Sequence, residues 1–133
     1  MKFFFVIIFF SCLLTNVHAQ EATEVTISRA WELLDKKESK KALQTVAHVK
    51  FDYSIDYWVS LIRSRSFAQQ MESSARAGRN KELMQLGNRA LAEYGDLLLH
   101  YPLLSNWKSV TDEITSVQLR LGEYYAKAGN RTG

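Results

Sequence analysis

Apolar side chains recur at intervals of three and four through most of the chain beyond residue 24, the spacing that lines one side of a helix. The pattern is clearest in Ser54–Ala77, SIDYWVSLIRSRSFAQQMESSARA, which contains neither Gly nor Pro. There Ile55, Trp58/Val59, Ile62, Phe67 and Met71 form a single stripe. At about 1.5 Å per residue such a helix reaches roughly 36 Å. Ser54 is its expected N-cap, and Gly78 fits the left-handed position that ends it. A helix that long with one apolar stripe needs partners, and the flanking segments supply them.

On the N-terminal side, Val25, Ile27, Ala30, Trp31 and Leu34 predict a first helix ending near Lys36. The cluster Asp35–Lys40 turns the chain. Ser39 then caps a second helix whose inner face is Ala42/Leu43, Val46 and Val49, and Phe51-Asp52-Tyr53 leads into the long helix. Beyond Gly78, Asn80 is the expected cap of a fourth helix, with Leu83, Leu86/Gly87, Ala90/Leu91, Tyr94 and Leu97/Leu98 facing inward. Gly87 and Gly95 weaken it by about 1 kcal/mol each relative to Ala, unless they permit close helix approach. Pro102 ends it. A fifth helix carries Trp107, Val110, Ile114, Val117, Leu121 and Tyr124/Tyr125, with Gly129 as its stop. No stretch alternates steadily between turn dipeptides, so no sheet is expected. The fold class read from this pattern is all-α, four to five antiparallel helices in one domain over residues 25–129, with 130–133 as a tail.

The start of the chain follows a different pattern. Met1-Lys2 gives a positive start, Phe3–Phe10 with Leu13-Leu14 an apolar run, and Val17-His18-Ala19 a small-residue cleavage site. Residues 1–19 therefore read as a secretory signal peptide cut after Ala19, with 20–24 as a loose leader. This predicts a secreted or periplasmic protein with no stable membrane span after cleavage. Phe9-Phe10-Ser11-Cys12 loosely resembles the box before a lipidated cysteine, so a lipid anchor through Cys12 is the alternative address. After cleavage no cysteine remains, and stability must come from packing without disulfides.

The whole chain carries a formal charge of +3. Loss of Lys2 lowers it to 3 − 1 = +2, too weak an excess to imply nucleic acid. Lys36, Lys37, Lys40 and Lys41 are interrupted by Glu38 and Ser39 and read as a solvated turn surface. His48 and His100 have no partner motif for a metal, and Met71 with His100 is the one pair that an axial haem site would use. Carboxylates pair at Asp52/Asp56, Glu93/Asp96 and Asp112/Glu113 in the manner of ordinary helix charges. No cofactor is expected, and the absence of a catalytic constellation predicts a non-enzyme. Asn130-Arg131-Thr132 is a glycosylation sequon, meaningful only in a eukaryotic secretory pathway.

One segment has a family likeness. In LGEYYAKAGN, Leu121-Gly122, Tyr125 and Gly129 match the first-helix half of the tetratricopeptide repeat. A small residue at Gly122 lets the paired helix approach, Tyr125 packs between helices and Gly129 ends the helix. Ala30, Leu33, Ala42 and Val46 match in part; Met71, Gly78, Leu83 and Ala90 match less well, because Met71 stands where a small residue belongs. From Ala30 to Met71 is 41 positions and from Met71 to Gly122 is 51, against the repeat's 34. The chain thus resembles a degenerate tetratricopeptide-repeat protein. That resemblance implies helical hairpins and a groove that takes a protein or peptide.

Phe51, Tyr53, Tyr57, Trp58 and Phe67 crowd the start of the long helix, with Arg63 and Arg65 between them. Trp, Tyr and Arg dominate binding energy at interfaces. The expected function is therefore protein or peptide binding in a groove beside the long helix, with Tyr53, Tyr57, Arg63 and Arg65 as contacts. On a purely structural reading, Trp58 and Phe67 belong to the core and the two arginines to the wet face. The alternative function is a small-ligand or cofactor carrier with an enclosed cavity in a helix bundle. A second copy completing the exposed side of helix five is a further possibility.

Overall fold

Two helix turns of identical construction set the architecture. The structure is a computed structural model that describes residues 24–49 and 56–132. The leader through residue 23, Tyr53 and the expected cap Ser54 lie outside the described residues. Helix α1 covers residues 24–35, and α2 is Ser39–Val46. Between them Lys37 takes a left-handed φ of 62°. Lys37 N–H donates to Leu34 O at 3.0 Å and Glu38 N–H to Leu33 O at 2.8 Å. Helix α3 is Asp56–Arg76 and α4 is Asn80–His100. Their turn places Gly78 at φ 71°, with Gly78 N–H on Ala75 O at 3.2 Å and Arg79 N–H on Ser74 O at 2.9 Å. This pair of bonds is the Schellman closure of a helix.

In both turns the next helix starts at once. Ala42 N–H bonds Glu38 O at 3.0 Å and Leu83 N–H bonds Arg79 O at 2.9 Å, so Glu38 and Arg79 hold the N-cap positions. Ser39 and Asn80, the expected caps, are instead the first helical residues. The left-handed residue leaves only one position for a cap, and the polar side chain arrives one step late. Neither Glu38 nor Arg79 makes a side-chain cap bond.

Helix α2 is short. It ends at Val46, so His48 lies in the following turn and Val49 packs on the core from outside the helix. Helix α4 stops where Pro102 opens a 3-10 turn, Pro102–Asn106, whose Leu104 is buried. Helix α5, Lys108–Thr132, does not stop at Gly129 but runs through it, so residues 130–132 are helical rather than a tail. Among the described residues every regular element is helical, as the sequence pattern requires.

Helix α3 is the centre. The expected single stripe is incomplete, because α3 is buried on several sides. Leu61 and Met71 join α4 and α5 residues such as Leu83, Ala90, Tyr94, Val110, Val117 and Leu121. Ile62, 100° further round, joins Ile27, Ala30 and Leu34 of α1 with Ala42 and Val46 of α2. Partly buried Trp31 touches both clusters. Ser64, Ser66 and Ser74 are also buried. Ser64 Oγ donates to Ser60 O at 2.8 Å and Ser66 Oγ to Ile62 O at 2.7 Å, so these hydroxyls need no water.

Small residues let α4 come close. A Cβ on Gly87 would lie 2.7 Å from Leu121 Cδ2 and 3.0 Å from Met71 Sδ. Gly87 therefore sits where α3, α4 and α5 meet. By contrast, a Cβ on Gly95 or Gly122 would meet nothing within 4 Å. No helix among the described residues is long and apolar enough to cross a membrane.

Candidate functional site

Of the four residues singled out in the sequence, the three that are described, Tyr57, Arg63 and Arg65, do not converge. Tyr53 lies outside the described residues. Tyr57 stacks on Trp58 at 4.4 Å between ring centres and meets Tyr101 edge-on at 5.7 Å. Trp58 in turn meets Trp31 at 5.9 Å. Two residues apart on a helix means about 200° of rotation, so Arg63 and Arg65 point to different sides. Arg63 Nη2 reaches Glu93 on α4 at 2.9 Å, where Arg89 also approaches at 3.5 Å. Arg65 Nε reaches Glu113 on α5 at 2.7 Å and lays its guanidinium over the Trp31 ring at 4.8 Å. Neither arginine belongs to a wet face; both are partly buried and ion-paired.

Glu113 is the node of a network across four helices. Besides Arg65, it accepts a 2.8 Å hydrogen bond from Tyr94, whose ring is buried in the core. Burial, and then the neighbouring Glu113 carboxylate, push the Tyr94 phenol far above its ordinary 10.0, with Arg65 opposing weakly. Tyr94 therefore acts only as a hydrogen-bond donor. A second clasp, further along, joins Arg120 of α5 to Glu72 of α3 through two bonds of 2.7 and 3.1 Å.

Between the two clasps α3 and α5 part, and a groove of about 420 Å³ opens. Ala68, Met71 and Val117 form its floor, and Glu72, Asp112, Glu113 and Ser116 its sides. One end is closed by the α1–α2 turn with Lys37 and Ser39, and by Arg76 from the last turn of α3. Gln69 ties this end together, its Nε2 donating to Leu34 O at 3.1 Å. Its Oε1 is buried without a partner. A smaller cleft of about 280 Å³ shares Lys37, Ser39 and Ser73 and extends towards Gln70 and Arg79.

As a binding contact, sequence reasoning named only Arg65, which neighbours this groove; it read Met71 as core and Asp112/Glu113 as ordinary helix charges, and did not bring them together. The groove's residues belong to three separate segments, and only the pairing of α3 with α5 makes them neighbours. The one local signal was the four-lysine turn, whose Lys37 lines the groove.

The other sequence candidates are dispersed. Met71 is buried against Gly87, whereas His100 is exposed, its Nδ1 2.9 Å from Asp96 O. Asp112 pairs with Lys108 at 3.1 Å. Among the described residues no group of three His, Cys, Asp or Glu side chains is placed to hold a metal ion. Of the repeat-like residues, Gly122 faces open space and Tyr125 is 50% exposed.

These features define an all-α protein of helical hairpins packed around α3. No family model, curated protein or solved structure matches the chain.

Proposed function

We propose that the chain is an exported, non-enzymatic helical-hairpin protein of degenerate tetratricopeptide type, which binds a protein or peptide in the groove between α3 and α5. The observation that carries this reading is an apolar floor held open by ion pairs of the chain itself. The Glu72–Arg120 and Arg65–Glu113 bridges fix both sides at 2.7 Å, so the groove needs no ligand to form. A pre-formed site lowers the ordering cost of binding. Support for the repeat-like architecture comes from the two matching turns, 41 residues apart, and from packing of α3 against helices on both sides. The contact surface is then the α5-facing side of α3 with Arg65, rather than the quartet Tyr53, Tyr57, Arg63 and Arg65.

Peptides selected from a random library on the intact chain test this. Ser116 is exposed beside the groove, and Gln118 lies exposed about 200° away on α5. Ser116→Arg is expected to abolish binding of the selected peptides and Gln118→Arg to leave it unchanged. Peptides indifferent to Ser116→Arg would place binding elsewhere.

A further inference from the structure

The charges around the groove do not cancel. Glu72, Asp112 and Glu113 each face a cation of the same chain, respectively Arg120, Lys108 and Arg65. Lys37 and Arg76, at the α2 end, make no ion pair among the described residues. The uncompensated charge of the groove is therefore positive and lies at one end.

Helix α2 begins at that same end. Glu38 occupies its N-cap position without capping it and instead pairs with Lys41 at 3.3 Å. The first N–H groups of α2 thus lack a side-chain acceptor. Ser39 is only 8% exposed and lines both clefts, yet its hydroxyl makes no hydrogen bond among the described residues. The hydroxyl oxygen itself is not sealed from the clefts, so it is free to donate to a ligand there. Gln70 Nε2, in the adjoining cleft, is a buried donor without an acceptor. Apart from the Gln69 carbonyl oxygen, the groups without a partner here are cations or have an N–H or O–H to donate. What is missing is an anionic acceptor, and the floor next to it, Ala68, Met71 and Val117, is apolar.

We propose that the α2 end of the groove captures the C-terminal carboxylate of a peptide whose last side chains are apolar. Ser39, Lys37 and the first turn of α2 hold the carboxylate, Arg76 adds charge, and the floor receives the terminal side chains. Helix N-termini and backbone nests bind carboxylates in this way. At about 420 Å³ the groove falls within the ~300–1,000 Å³ of ligand pockets, room for the end of a chain rather than a folded domain. The inference rests on the α3–α5 groove being the binding face.

The test uses the full chain and a pool of pentapeptides whose last three positions vary among Ala, Val, Leu, Ile and Phe. The pool is made once as free acids and once as C-terminal amides, with octanoate as a third arm. Binding is read by fluorescence anisotropy and by NMR shifts of the Ala68 and Val117 methyl groups. The free acids are expected to shift both methyls and to bind about tenfold or more tightly than the amides. Lys37→Gly is expected to remove that preference without loss of fold, because glycine suits the left-handed turn. Lys37→Arg and a wild-type control are expected to keep it. Equal binding of acids and amides, with both methyls shifted, overturns the carboxylate inference and leaves the groove reading standing. Octanoate binding as tightly as the acid pool overturns the peptide assignment. Neither pool shifting either methyl overturns the inference and the groove reading together.

Discussion

Lys37 and Gly78 occupy the same position in two turns, with φ of 62° and 71° and the same pair of closing hydrogen bonds. Only one of them is a residue that the left-handed region suits. A non-glycine residue there costs about 1–2 kcal/mol from its Cβ contact with the following carbonyl. Lys37→Gly is therefore expected to raise stability by about 0.5–1 kcal/mol, after the entropy glycine adds to the unfolded chain. Gly78→Ala is expected to lower it by about 1 kcal/mol. Urea unfolding with an unchanged slope and a shifted midpoint measures both.

The glycines of α4 separate packing from propensity. A Cβ at Gly87 runs into Leu121 Cγ at 2.9 Å and Cδ2 at 2.7 Å. Overpacking of this kind costs about 1–3 kcal/mol, against about 1 kcal/mol gained from alanine's helix propensity. Gly87→Ala is expected to be net destabilising, and Leu121→Ala in the same chain to relieve the clash, so the two changes are non-additive. Gly95→Ala meets nothing within 4 Å and is expected to stabilise by up to ~1 kcal/mol. Thermal unfolding of the set reads these signs.

Tyr94, Glu113 and Arg65 respond to substitution as a unit. Tyr94→Phe removes one hydrogen bond and is expected to cost about 1 kcal/mol. Glu113→Ala strands the buried phenol and the Arg65 guanidinium together and is expected to cost more, about 1–3 kcal/mol. A double-mutant cycle between positions 94 and 113 is expected to give a coupling of at least ~0.5 kcal/mol. Additive losses would show that the bond carries no stability.

Alkali tests the same phenol. Its folded-state pKa lies above the unfolded value of 10.0, first because of burial and next because of Glu113. Above pH 10 the unfolded chain has lost that proton and the folded chain keeps it. Unfolding then releases a proton, and stability falls as pH rises from about 10 upward. Below pH 10 this group contributes a constant amount. Stability against pH is expected to drop less steeply in Tyr94→Phe than in the wild type above pH 10, and the two to run parallel below it.

Much of the secondary structure was legible because it depends on local chemistry. Gly78 and Pro102 are breakers whose effect needs no tertiary context, and the stripes of α4 and α5 face a core on one side only. The reading failed where a segment lacks a wet side. On α3, Ser64, Ser66 and Ser74 lie outside the expected apolar stripe, yet they are buried, and Ser64 and Ser66 bond carbonyls of their own helix. The same surroundings mislead on Arg63 and Arg65, whose charges meet Glu93 and Glu113 from helices 30 and 48 positions away. Gly129 failed as a stop because a glycine ends a helix only where the chain must turn.

The groove was invisible for a related reason. Lys37, Gln69 and Val117 share no periodicity, and only the meeting of α1, α3 and α5 makes them neighbours. The unused hydroxyl of Ser39 also has no sequence signature, since a serine at that place reads as a cap. Its position one residue inside α2 follows from the left-handed Lys37.

The most direct measurement is photo-crosslinking from the two sides of α5. A benzophenone side chain is placed at position 116 in one preparation and at position 118 in another, and each intact chain is irradiated with a peptide selected for binding. The account predicts covalent capture from position 116 and little from position 118. Capture from 118 with none from 116 would contradict it.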